Sequence, residues 1–205
     1  MRCVLASLIG LALSLAAAGE SIECPGGALP QGAPPPEGGR QWCEDAEGRQ
    51  HGPSIAWDAQ GRRRIEAHFR EGIMEGAYRA WHENGAVSES GAYRDDRRDG
   101  VWELWYDDGK PARLQTYRDG KLHGEVKEWY PTGQLRLQER YDDGARDGPA
   151  MAYYENGQKQ SEGDFRRGEF HGTWKSWYED GSPRKTATFE NGAKTGEEIF
   201  PPGGN

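Results

Sequence analysis

The sequence predicts an all-β fold: an elongated, single-layer antiparallel β-meander of six 24-residue β-hairpin repeats. Three observations carry this expectation. Glycine recurs every 24 residues, at Gly52, Gly76, Gly100, Gly124, Gly148, Gly172 and Gly196, and a period of roughly 20–50 residues marks a repeat array. Each unit sets an aromatic five positions after that glycine (Trp57, Trp81, Trp105, Trp129, Tyr153, Trp177). A second aromatic follows twelve positions later (Phe69, Tyr93, Tyr117, Tyr141, Phe165, Phe189). Between β-prone runs stand Asn84-Gly85, Asp108-Gly109, Asn156-Gly157 and Asp180-Gly181. Such pairs favour hairpins, because a type I′ turn needs positive φ at both central residues.

Composition agrees. Leu, Ile, Val and Phe supply 26 of 205 residues and mean hydropathy is −1.00, which is below the roughly 20% apolar content of an ordinary folded chain. Yet 8 Trp, 9 Tyr and 5 Phe are present, and disordered chains are poor in aromatics. Order must come from rings and backbone hydrogen bonds. With 30 glycines, no helical stretch of about 12 residues is expected to survive.

The elements follow in order. Arg2, the apolar run from Val4 to Leu15 and Ala16-Ala17-Ala18 read as a signal peptide over 1–18, cut before Gly19. The apolar run falls short of the about 20 residues that a bilayer requires. No transmembrane segment is expected after cleavage, and the location is expected to be secreted or periplasmic. Residues 19–47 form a Gly/Pro-rich N-terminal segment. Cys3 leaves with the signal, so Cys24 and Cys43 are expected to pair as a disulfide rather than to form a metal pair or a reactive thiol. The loop they close is expected to build no strand of its own. The repeat domain covers 48–199, and 200–205 is a flexible tail. Net charge is −8, which disfavours a nucleic-acid partner.

Adjacent strands lie about 4.8 Å apart, so the Trp column alone spaces its rings about 10 Å apart. A continuous structural aromatic stripe therefore requires the Trp and Tyr/Phe columns to share a face. Counting through two-residue turns puts them on opposite faces, so the shared face demands a bulge or a longer turn, with Gly91 and Gly163 as candidate bulge positions.

The pattern Gly-x4-Trp-x3-Gly-x7-Tyr-x2-Gly-x3-Gly resembles the MORN repeat in its bacterial variant, the kind carried by YwqK-like antitoxins. The resemblance covers 52–195 in six copies, with half a unit before it and departures at Asp96 and Tyr153. It implies an open hairpin sheet, a binding or scaffold role and no catalytic residues. An antitoxin-like role is the further alternative that it implies.

Chemistry-bearing residues do not cluster in the sequence. His51, His123 and His171 precede repeat glycines as polar turn residues, and His68 and His82 are isolated. No catalytic or metal-binding residues and no cofactor are expected. Repeat arrays carry function at positions that vary between units. Tyr78, Trp102 and Trp174, with Tyr106, Tyr130, Tyr154 and Tyr178, form the candidate binding face. The alternative for these residues is a second core face. The expected function is an exported non-catalytic scaffold that binds another macromolecule, a protein in the first instance. The alternative is a cell-envelope carbohydrate or choline-type binder.

Overall fold

The computed structural model describes residues 22–202. The signal peptide assigned to 1–18 lies outside the described residues. Fifteen strands form one sheet in strict sequence order, each antiparallel to the next. The N-terminal segment supplies β1 (Leu29–Ala33) and β2 (Arg40–Glu44). Six hairpins follow: β3 (Gln50–Trp57) with β4 (Arg63–Arg70), β5 (Ile73–Trp81) with β6 (Val87–Arg94), and β7 (Arg97–Trp105) with β8 (Pro111–Arg118). Then come β9 (Lys121–Trp129) with β10 (Leu135–Asp142), β11 (Ala145–Tyr153) with β12 (Lys159–Arg166), and β13 (Glu169–Trp177) with β14 (Pro183–Glu190). A final strand, β15 (Ala193–Ile199), pairs with β14. No helix occurs among the described residues.

One expectation about the N-terminal segment is overturned. The loop closed by Cys24 and Cys43 does build a strand, β1, which pairs with β2 from Leu29 opposite Glu44 to Ala33 opposite Arg40. The reason is that β3 leaves its edge open, β2 takes it, and the loop folds back to pair in turn. The disulfide forms as expected. Cys43 is 1% exposed, and Pro25 sits where a Cβ on Gly52 would stand, 2.5 Å away. The cross-linked segment thus closes the first end of the array.

Two kinds of turn alternate along the ribbon, and their chemistry differs from the expectation. Type I′ geometry, with positive φ at both central residues, falls between units, as at Glu71-Gly72, Asp119-Gly120 and Asn191-Gly192. Asp95-Asp96 adopts it without a glycine, as the short polar Asp side chain permits. At Asn84-Gly85 only the glycine is left-handed, with φ 86°. There the amide of Gly85 donates to the carbonyl of His82 and the amide of His82 donates to Ala86. This is a three-residue loop, a type I turn followed by a left-handed glycine. Asn84 Oδ1 accepts from the Ala86 amide at 3.0 Å, and Asp108, Asn156 and Asp180 repeat the contact.

Both long edges are stitched between units. The amides of Gly72, Gly120, Gly144 and Gly168 each donate to a carbonyl 22 residues earlier. At the other edge the Tyr106 hydroxyl donates to the carbonyl of Trp129 at 2.6 Å, Tyr130 to Tyr153, Tyr154 to Trp177 and Tyr178 to Phe200.

Most of the core is a file of side chains along one face, and at the disulfide-bridged end Gln41 and Ile55 are buried on the other. Residues directly opposite one another share a face. Register links Trp42, Ser54, Ala67, Tyr78 and Gly91 in one series, and Trp102, Gln115, Val126, Glu139, Ala150 and Gly163 in the next. Ser54, Ala67, Trp102, Gln115, Val126, Glu139 and Ala150 are all buried. The buried Glu139 carboxylate accepts from the Tyr141 hydroxyl at 3.0 Å and pairs with Arg146 at 3.4 Å. Glu128, also buried, lies between Arg113 and Arg136. Each buried carboxylate thus keeps a cation beside it.

Candidate interaction face

The Tyr/Phe column stands on this core face. Tyr93 lies opposite Gly76, Tyr117 opposite Gly100 and Phe165 opposite Gly148. Its rings meet Tyr78, Trp102 and Trp174. Trp102 lies 5.0 Å from Tyr93, 5.5 Å from Tyr78 and 6.5 Å from Tyr117, centroid to centroid. Trp174 lies 4.9 Å from Phe165 and 4.7 Å from Phe170.

Gly91 and Gly163 do stand where the strand register breaks, between Ser90 and Ala92 and between Glu162 and Asp164. They are also floors for the indoles of Trp102 and Trp174, where a Cβ would stand 2.3 Å from ring carbons. The Arg98 guanidinium caps Trp102 at 4.0 Å and pairs with Glu89 at 2.6 Å. Burial works to lower the Arg98 pKa, but Glu89 and hydrogen bonds with Tyr93 and Tyr117 prevail and raise it.

The structure places the expected binding residues inside this packing. Trp102 is 0% exposed, and Tyr78 and Trp174 are half-buried. Tyr106, Tyr130, Tyr154 and Tyr178 spend their hydroxyls on the stitch between units.

The expectation that the Trp and Tyr/Phe columns share a face is corrected. Each Trp lies five residues beyond a repeat glycine, an odd step, and that glycine faces the Tyr/Phe column. Side chains alternate along a strand, so Trp57, Trp81, Trp105, Trp129, Tyr153 and Trp177 point to the opposite face. Among the described residues none of the ring–ring contacts involves this column. The intervening strands supply its neighbours instead: Val87 opposite Trp81, Pro111 opposite Trp105, Leu135 opposite Trp129 and Pro183 opposite Trp177. Together with the Trp column these partners make a second apolar stripe, as the odd step from each repeat glycine requires.

The Trp face is thus a half-buried apolar stripe with a polar row beside it. Register runs that row through Glu66, Arg79, Ser90 and Glu103, then Leu114, Lys127, Gln138, Met151, Glu162 and Lys175. Shallow depressions follow one another along it. One is lined by Arg79, Val87, Ser90, Glu103, Trp105 and Gly109, and another by Gly124, Glu125, Gln138, Arg140 and Met151 among others. The isolated histidines serve the backbone: His68 bonds the Ala77 carbonyl and His82 the Trp105 carbonyl. Among the described residues no three His, Cys, Asp or Glu side chains gather to hold a metal ion, and no helix is long and apolar enough to cross a membrane.

An open, one-layer array of stitched hairpins is the architecture of a repeat scaffold. A family model described as "MORN repeat variant" matches residues 98–119, 122–143, 146–166 and 170–191, each match holding one hairpin from β7–β8 to β13–β14. Over 98–191 the chain is similar to the MORN repeat variant in four consecutive repeats, a family whose repeats are generally binding or scaffold repeats. Comparison with curated proteins finds no match. A solved structure described as "Crystal structure of GtfA/B complex bound to UDP and GlcNAc" aligns over 71% of this chain and 25% of its own, at 12% identity and a TM-score of 0.25. This chain thus spans about a quarter of that one's length.

Proposed function

We propose that the chain is an exported, non-catalytic scaffold that binds another macromolecule through its Trp face. The observation that carries this reading is the division of labour between the faces. Trp102 and Phe165 are buried within the ring clusters of the core face, whereas Trp81, Trp105, Trp129 and Trp177 stay half-exposed at a fixed interval, with no ring–ring contact among the described residues. Aromatic rings with two stiff torsions are effective binding groups. The expectation of a protein partner drew on Tyr78, Trp102 and Trp174 as a sticky surface, and the burial of Trp102 takes away its centre.

Export is supported by the Cys24–Cys43 bridge, since disulfides persist in oxidising compartments. Cross-linking with mass spectrometry in the native organism tests the binding reading. A Trp81→Ser/Trp105→Ser/Trp129→Ser variant should lose the cross-links that the wild type makes. Unchanged cross-links in a folded variant would place the binding surface elsewhere. N-terminal sequencing of the mature protein should begin at Gly19.

A further inference from the structure

We infer that the Trp face binds an extended, uncharged β-1,4-linked glycan chain, one aromatic ring of the stripe serving every second sugar. This rests on the Trp face being the binding surface. Three features of that face converge on this ligand.

The first is metre. Trp81, Trp105 and Trp129 come from strands two apart in one sheet, so their Cα positions repeat about every 10 Å. In a β-1,4-linked chain each sugar is flipped relative to the last, so the same ring face returns every second sugar. That interval is close to the width of two strands. An α-linked chain curls and loses the match.

The second is the polar equipment beside each ring. The depression at Trp105 holds the Arg79 guanidinium, the Glu103 carboxylate and the Ser90 hydroxyl. A sugar presents C–H groups above its ring plane and hydroxyls at its rim. The indole takes the first, and paired donors and acceptors take the second.

The third is charge. Along the polar row, acids and bases alternate as Glu66, Arg79, Glu103, Lys127, Glu162 and Lys175. Register continues the row through Thr186 to Glu198, so it holds four acids and three bases, a net −1 where the chain carries −8. A row of closely interleaved, nearly balanced charge suits an uncharged polymer better than a polyanion or a polycation.

Calorimetric titration of the full mature protein with β-1,4-linked N-acetylglucosamine oligomers tests the assignment. Affinity should climb more than tenfold from dimer to hexamer as successive rings engage, and an α-1,4-linked glucose hexamer should not bind. Trp105→Ala and Trp129→Ala should each weaken the hexamer about tenfold. Trp105→Phe, which keeps a ring and the fold, should retain most of the affinity. Absence of binding to the β-linked hexamer, equal binding of the α-linked one, or indifference to both Trp substitutions overturns the glycan. If the triple Trp variant loses protein cross-links in the host while no oligosaccharide binds, the Trp face remains the docking surface. Its occupant is then a protein, and the glycan assignment falls alone.

Discussion

The indole of Trp102 lies on Gly91, so close that a methyl group on that residue would stand 2.3 Å from the ring. The same relation recurs between Trp174 and Gly163. Gly91 has no left-handed backbone, so the requirement for glycine there is one of space alone.

Gly91→Ala should therefore cost about 1–3 kcal/mol through overpacking. In a Trp102→Ala background, which itself should cost about 3–5 kcal/mol, the added penalty should vanish. A double-mutant cycle on denaturant midpoints checks this. An undiminished penalty in the double mutant would refute the steric account.

Trp105→Ala should be milder than Trp102→Ala, at about 1–2 kcal/mol, because Trp105 is half-buried and opposite Pro111 rather than enclosed by rings. Equal losses at the two positions would mean that the Trp face is as much a core as the other.

The tyrosine stitch makes its own forecast. Tyr130→Phe removes one hydroxyl donation to the Tyr153 carbonyl, 2.9 Å away, and should cost about 0.5–1.5 kcal/mol. Amide exchange should quicken in β11 and β12 more than in β7 and β8. Uniform change across the array would argue against a local stitch.

The last strand titrates. Hydrogen bonds from Lys185 and Lys194 hold the Glu197 carboxyl down to about 2, from 4.5. A depressed carboxyl stabilises the fold above its unfolded value and loses that contribution as pH falls through its folded one. Amide protection in β15 should decline between pH 4.5 and about 2, and Glu197→Gln should flatten that decline. Identical pH profiles would dissociate the ion pairs from the docking of this strand.

Removal of the bridge by Cys24→Ser/Cys43→Ser should cost about 3 kcal/mol from the released loop. The effect should concentrate in β1 to β3, where Cys43 is buried. Thiol titration of the protein lacking residues 1–18 should find none before reduction.

Much of this architecture was legible. The 24-residue metre placed every hairpin from β3 to β14, because a strict period with no insertions admits one register. The faces were harder. Asn84-Gly85 and Asn191-Gly192 are the same dipeptide, yet the first closes a three-residue loop and the second a two-residue turn. Only the partners across the strands distinguish them. The odd step from Gly100 to Trp105 did carry the answer in plain arithmetic. One continuous stripe would need both columns on one face, and the sheet instead builds two stripes on opposite faces. β1 was hidden because its Pro30 and Gly32 are poor strand formers, and it owes its order to pairing with β2.

Because every strand pairs with the one made just before it, this molecule need not wait for its own completion. Each completed hairpin offers the next one a finished template, so assembly can proceed like a zipper with low contact order. Truncation after any unit should leave the earlier ones standing, held at their first end by the cross-linked segment.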